Sequence, residues 1–224
     1  MMIKLSARIL LIVIATTLPA AALENVRAVA EAVDEHYNRL HTMETQFTET
    51  YRGLGLERTE TGTLWLEKGG LKKPGKMRWE YRSPEDKLFV SDGKEVWLYV
   101  PGDHQARRSY ANKLNDLRSP LEFLLGKTQL EKELRALSFA PDVQPLNADD
   151  VVLRGIPQGF ASEVSEMLLE VNPQHEIVRI EMQNVDGSVT EYRFTDQRAD
   201  VRLPAGWFHF KPPTGTETIE GLEQ

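Results

Sequence analysis

Two long tracts of this chain alternate their side chains with a period of two, and that constrains the fold more than anything else in the sequence. In the first, from Met43 to about Tyr110, Met43, Thr45, Phe47, Glu49 and Tyr51 share one parity, and Met77, Trp79 and Tyr81 alternate with Lys76, Arg78, Glu80 and Arg82. The second runs from Val151 to Thr195, where Val178, Ile180 and Met182 alternate with Arg179, Glu181 and Gln183. Successive side chains of a strand point to opposite faces, so such segments are strands with one apolar face. Further strands are expected at 61–67, 87–91, 95–100, 151–154, 165–172, 176–183 and 189–195. Asp92-Gly93 and Asp186-Gly187 supply tight hairpin turns, and strands joined by such turns are antiparallel.

Helical spacing occurs in only two places. Val26, Val29, Ala30, Val33, Tyr37 and Leu40 recur at three- and four-residue steps within 23–43, one amphipathic helix with a face to bury. Between the strand tracts, Ser119-Pro120-Leu121-Glu122 reads as a capped helix start and Gly126 as its end. Thr128 to Glu131 repeats the capping pattern, and Leu130, Leu134 and Leu137 continue on one side. Trp207 to Phe210 reads as a last strand before Pro212-Pro213, with a loose end from Thr214. Either strand tract alone would leave an apolar sheet face bare, and no Pro/Ser-rich linker divides them. The expectation is therefore a mainly β fold with some α: one domain over 23–224, a strongly curved antiparallel sheet or incomplete β-barrel whose concave apolar face is lidded by helices.

The first 22 residues stand apart. Lys4 and Arg8 precede the apolar run from Ile9, and Ala20-Ala21-Ala22 follows where a signal peptidase would cut. A membrane span needs about 20 apolar residues, and this run is far shorter. Residues 1–22 read as a cleaved signal peptide, which places the mature protein in the periplasm. The 224 residues carry a formal charge of -7 and no cysteine. That balance offers nothing to phosphate backbones, so nucleic acid is not an expected partner. Without cysteine there is no thiol chemistry, thiolate metal site or acylated N-terminus.

Enzyme chemistry finds no support in the motifs. There is no G-x-S-x-G elbow or H-E-x-x-H, and His36 and His41 are five apart, which separates them around a helix. Gly53-Leu54-Gly55 reads as a hairpin turn rather than a dinucleotide loop. Asp149-Asp150 and Glu166/Glu170 read as solvated charges. No catalytic residue, metal or cofactor is expected. The informative feature is apolar: Trp65, Trp79 and Trp97 on three neighbouring strands, and Leu121, Phe123, Leu124 and Leu125 crowded on one short helix. By composition alone a plain core outweighs a ligand cavity.

The order of motifs adds to that. Thr63-Leu64-Trp65-Leu66, Lys73-Pro74-Gly75-Lys76-Met77-Arg78-Trp79-Glu80-Tyr81, Ser83-Pro84 and Val90-Ser91-Asp92-Gly93-Lys94-Glu95-Val96-Trp97-Leu98-Tyr99 resemble the periplasmic outer-membrane lipoprotein carrier family, LolA. Phe47-Thr48-Glu49, with Glu where that family usually has Gln, Ser119 to Leu125 and the paired prolines near the C-terminus match as well. The resemblance implies a carrier that takes lipoproteins from an inner-membrane ABC transporter, shields their acyl chains between half-barrel and helical lid, and delivers them as a monomer to an outer-membrane receptor lipoprotein. It implies acyl-chain binding by Phe47, Trp65, Met77, Trp79, Leu121, Phe123, Leu124 and Leu125. It also implies a lid latch at Lys73, where the family has Arg; a lysine is a point donor rather than a five-donor fork. The alternative is a periplasmic lipid- or lipoprotein-sensing regulatory module on the same half-barrel.

Overall fold

The computed structural model describes residues 25–70, 74–110, 128–159 and 161–221. The expected signal segment, Lys73, the helix around 119–126 and its Leu121, Phe123, Leu124 and Leu125 lie outside the described residues.

Helix α1 (Val26–Arg39) starts at Asn25, whose side chain accepts the Arg27 N–H at 3.0 Å, as an N-cap should. Its apolar stripe of Val29, Ala30, Val33 and Tyr37 is buried. The helix is shorter than its periodicity: Leu40 is extended, and Met43 already belongs to β1 (Thr42–Gly53). The first tract continues as β2 (Leu56–Glu67), β3 (Lys76–Ser83), β4 (Lys87–Ser91), β5 (Glu95–Val100) and β6 (Gln105–Tyr110). After the short helix α2 (Leu130–Glu133) come β7 (Leu134–Phe139), β8 (Val151–Pro157), β9 (Val164–Val171), β10 (Ile177–Asn184), β11 (Val189–Ala199) and β12 (Glu217–Glu220).

All twelve strands form one sheet, in the order β12-β6-β5-β4-β3-β2-β1-β11-β10-β9-β8-β7. Two antiparallel meanders are fused where β1 pairs with β11. The outermost strands do not meet, so the sheet is curved but open. The expected incomplete barrel is what the chain forms.

Two segments depart from the sequence reading. Leu130, Leu134 and Leu137 do not continue one helix: α2 stops at Glu133 and Leu134 opens β7. Pairing with β8 replaces the helix because Leu134 seats on Gly155, where even a Cβ would lie 2.8 Å from the Leu134 Cβ. Strand hydrogen bonds to β8 then satisfy the backbone that a helix would otherwise have served. At the C-terminus, residues 207–210 form no strand: 205–208 make a turn and 209–210 run on without regular structure. The segment expected to be loose instead supplies β12, the sheet's parallel partner of β6.

The inner face carries one continuous apolar cluster. It runs from Leu64, Leu66, Met77 and Trp79 through Met43, Phe47 and Phe194 to Ile180, Leu169 and Leu153, with α1 packed into it. Tyr37 ties α1 to the sheet. Its hydroxyl accepts the Ile177 N–H at 2.8 Å and donates to Gln197 Oε1 at 3.1 Å. Asp34 accepts the Leu130 N–H at 3.1 Å and Asn38 donates to the Thr128 carbonyl at 3.0 Å, which joins α1 to α2.

The outer face is not simply polar. After β11 the chain crosses it as a strap on the way to β12: Trp207 packs edge-on to Trp65 with centroids 5.2 Å apart, and Phe210 lies 5.6 Å from Trp97 and 5.3 Å from Tyr99. Elsewhere on this face Glu170 is fully buried against Arg179, at 2.7 Å, and accepts the Leu146 N–H; Asp150 is buried too. Both had read as solvated charges. The connection between β7 and β8 folds over them, and a buried carboxylate requires such partners.

Candidate functional site

The residues singled out from the sequence divide between the two faces. Register decides this, because directly opposed residues of an antiparallel pair project to the same side. Phe47 opposes Gly62, Leu64 opposes Trp79, and Leu66 opposes Met77. Phe47, Met77 and Trp79 therefore share the inner face and are buried at 2%, 6% and 3% exposure. The Phe47 ring meets Trp79 edge-on at 4.8 Å and Tyr81 at 5.0 Å. Gly62 makes this possible: a Cβ there would stand 2.9 Å from the Phe47 ring and 2.0 Å from the Glu80 carbonyl oxygen.

Trp65 does not belong with them. It opposes Glu44 on one side and Arg78 on the other, donates its indole N–H to Glu44 Oε2 at 2.9 Å, and packs under the strap on the outer face. The inner positions of β2 are its neighbours, Leu64 and Leu66. All three are apolar, so alternation in the sequence leaves the parity of Leu64-Trp65-Leu66 undecided. Trp97 is likewise on the outer side, opposite Arg108 and Val90. The tryptophan row thus splits, with Trp79 alone inside. As expected from alternation, Lys76, Arg78 and Glu80 share the outer face, where Arg78 stacks 4.7 Å over the Trp207 ring.

Toward the β1–β2 turn the inner face becomes polar. Tyr81 donates to Glu49 Oε2 at 2.9 Å, and Tyr192, opposite Glu49 in the register, also hydrogen-bonds to it. Beside them Glu60 is buried and ion-paired to Lys87 at 2.8 Å, and the Lys87 ammonium lies 3.9 Å over the Tyr81 ring. Burial pushes the Glu49 carboxyl above the usual range, only partly offset by the two tyrosine hydroxyls. Burial also raises both tyrosines well above the ordinary phenol value. The sequence reading missed this end because Glu49, Glu60 and Lys87 sit on three different strands and nothing in their spacing connects them.

A groove of about 630 Å³ lies at the other end of the β2–β3 pair, bordered by Glu67, Lys76, Asp92, Lys94 and Leu203 to His209. Its mixed polar lining contrasts with the apolar inner face. Among the described residues, no group of three or more His, Asp or Glu is placed to hold a metal.

An open curved sheet with one continuous apolar face, a helix packed into that face and a strap across the back defines a protein whose main apolar core lies on one side of a single sheet. Residues 38–211 match the family described as outer membrane lipoprotein carrier protein LolA, and the chain belongs to that family. An outer-membrane lipoprotein carrier protein of Chromobacterium violaceum is 28% identical over 187 residues, covering 80% of this chain and 82% of that protein. One from Alkalilimnicola ehrlichii is 26% identical and covers 98% of this chain and 97% of its own length. In fold, the chain resembles an uncharacterized conserved protein from Thermus thermophilus, with a TM-score of 0.53 at 14% identity over 87% of this chain and 98% of that one. The chain is thus a lipoprotein carrier of the LolA type.

Proposed function

We propose that the protein works in the periplasm as a single domain after loss of residues 1–22. It takes lipoproteins released at the inner membrane from an ABC transporter, covers their acyl chains on the inner face, and yields them to an outer-membrane receptor lipoprotein. The observation that carries this reading is the continuous apolar inner face centred on Phe47, Leu64, Leu66, Met77 and Trp79. In the closed sheet-and-helix packing these side chains cover one another. An acyl chain entering between sheet and helix exchanges one apolar contact for another, so opening need not expose the face to water for long. Met77 adds an unbranched, polarizable side chain that adapts to differing chains. Leu121, Phe123, Leu124 and Leu125 would cover the same face, with Lys73 as their latch.

Magnitudes explain why such a carrier needs donor and acceptor. An anchor with about 45 methylenes at about 0.8 kcal/mol each would cost about 36 kcal/mol to release into water. Non-covalent affinity saturates near about 20 kcal/mol, so cargo must be handed over directly and held incompletely shielded.

The test is to isolate the protein from the periplasm of cells making lipoproteins and identify what co-purifies by mass spectrometry. A photo-crosslinking residue at position 47, and one at position 65 as outer-face control, locates the cargo. Acylated peptides crosslinked at 47 and not at 65 are expected. Folded protein that carries no lipoprotein, or crosslinks equally at both positions, would refute the reading.

A further inference from the structure

Apart from the inner face, the least buried apolar side chains of the described residues gather on one rim of the sheet. Leu54, Val185 and Leu56 are 96%, 62% and 60% exposed. Leu54 and Gly55 form the two-residue turn between β1 and β2, with Gly53 opposite Leu56. Val185 begins the turn between β10 and β11. The two turns are neighbours, because Arg52 opposes Val189 and a Cβ on Gly53 would lie 2.6 Å from the Ser188 Cβ.

Leu54 is the wrong residue for its place if folding were its only task. Both turn residues have positive φ, 52° at Leu54 and 78° at Gly55, the geometry of a primed hairpin turn. Asn-Gly is the favoured pair there, and a leucine in the left-handed region is strained. Nothing in the fold offsets that strain, since the side chain is almost wholly in solvent. Charge on the rim is sparse: Arg52 pairs with Glu57 at 3.3 Å, and the Asp186 carboxylate is turned back onto the Ser188 N–H and hydroxyl at 2.9 and 2.7 Å. The apolar side chains stand on two hairpin turns at strand ends and project into solvent rather than lining a cleft, Leu54 at 96% exposure. A medium that accepts apolar side chains without a matching shape, and without a charge pattern, is the boundary between headgroups and hydrocarbon of a lipid bilayer.

We infer that the Leu54/Leu56 turn and the adjoining Val185 turn form a tip that inserts shallowly and reversibly into zwitterionic lipid surfaces, giving the protein its own weak contact with a membrane. This contact is separate from the cargo face and does not depend on the carrier reading, since it is measured without cargo.

The test is flotation of the periplasmically exported protein, stripped of cargo, with phosphatidylcholine vesicles and with vesicles containing a fifth phosphatidylglycerol. Wild-type protein should float with both, to a similar extent. Losing one inserted leucine should lower the vesicle–water partition about ten-fold. Leu54→Asn and Leu56→Ser should each do so, Leu54→Phe should retain binding, and Leu146→Ser, an exposed leucine in the β7–β8 connection, should change nothing. Since Asn suits a positive φ, the thermal midpoint of Leu54→Asn should be unchanged or raised, which separates lost insertion from lost fold. The proposal is overturned if wild-type protein stays out of the floating fraction at saturating lipid, or if Leu54→Asn floats as wild type does. It is equally overturned if binding appears only with phosphatidylglycerol, or if the variants impair transfer to a purified protein partner while wild-type vesicle binding is nil.

Discussion

Glu49 is where single-residue chemistry meets the inner face most sharply. Two tyrosine hydroxyls, of Tyr81 and Tyr192, need an acceptor here, which the carboxylate supplies and an amide oxygen would supply as well. The carboxylate differs in carrying a charge that burial disfavours. Its folded pKa lies above the unfolded value, so the stability it contributes is complete below about pH 4, the range of an unfolded glutamate, and is lost as pH rises through the folded pKa. Glu49→Gln should therefore raise the unfolding midpoint at pH 7 and leave it nearly unchanged near pH 4, as measured by thermal denaturation across that range. A variant less stable than wild type at pH 7 would show that the charge is favourable where it sits. Tyr37 makes a different residue-level claim. Tyr37→Phe would strand the buried Ile177 N–H without its acceptor, at about 1–3 kcal/mol. Chemical denaturation should register that loss, and an unchanged midpoint would mean that the bond from helix to sheet is dispensable.

At the scale of elements, period two is legible in the sequence wherever one parity is apolar and the other charged. In 76–82, Met77, Trp79 and Tyr81 against Lys76, Arg78, Glu80 and Arg82 leave no doubt which face is which, while β4 and β5 fall within the expected bounds because Asp92-Gly93 marks the turn between two short apolar runs. Alternation is uninformative where both parities are apolar, as at Leu64-Trp65-Leu66, and helical spacing can arise by coincidence, as at Leu130, Leu134 and Leu137. Leu134 and Leu137 satisfy a strand as well, because Gly155 opens a seat for Leu134 that only long-range pairing reveals. The polar end of the inner face was invisible for a related reason: Glu49, Glu60 and Lys87 become neighbours only once β1, β2 and β3–β4 are in register. Gly62 tests the element-level reading directly. A side chain there meets the Glu80 backbone, which cannot yield as a flexible side chain would. Gly62→Ala should cost about 1–3 kcal/mol and displace Phe47 from Trp79, which tryptophan fluorescence would report. A silent substitution would mean that the β2–β3 bulge absorbs the methyl group.

The whole molecule is organised as one sheet with two unlike apolar sides, and this decides how variants should sort. On the inner side the cluster around Phe47 and Trp79 is both core and, in the proposed function, cargo surface. On the outer side the strap from β11 to β12 covers Trp65, Trp97 and Tyr99 with Trp207 and Phe210, and Arg78 donates to the Trp207 carbonyl at 3.2 Å while stacking on its ring. The strap also ends in the strand that closes the β6 edge, where four residues pair in parallel. An open sheet has two free edges, and covering one with the chain's own terminus limits edge-to-edge association. The outer aromatic contacts lie on the side of the sheet away from the inner cluster, so their loss should weaken the fold and spare cargo capacity. Trp207→Ala with Phe210→Ala should lower stability by about 2–4 kcal/mol, equivalent to about 5–10 °C in the unfolding midpoint for a chain of this size. Lipoprotein carried per folded molecule, measured below the lowered midpoint, should stay at the wild-type level. If cargo is lost while the midpoint holds, the strap belongs to the carrying surface, and the division of labour between the two faces is wrong.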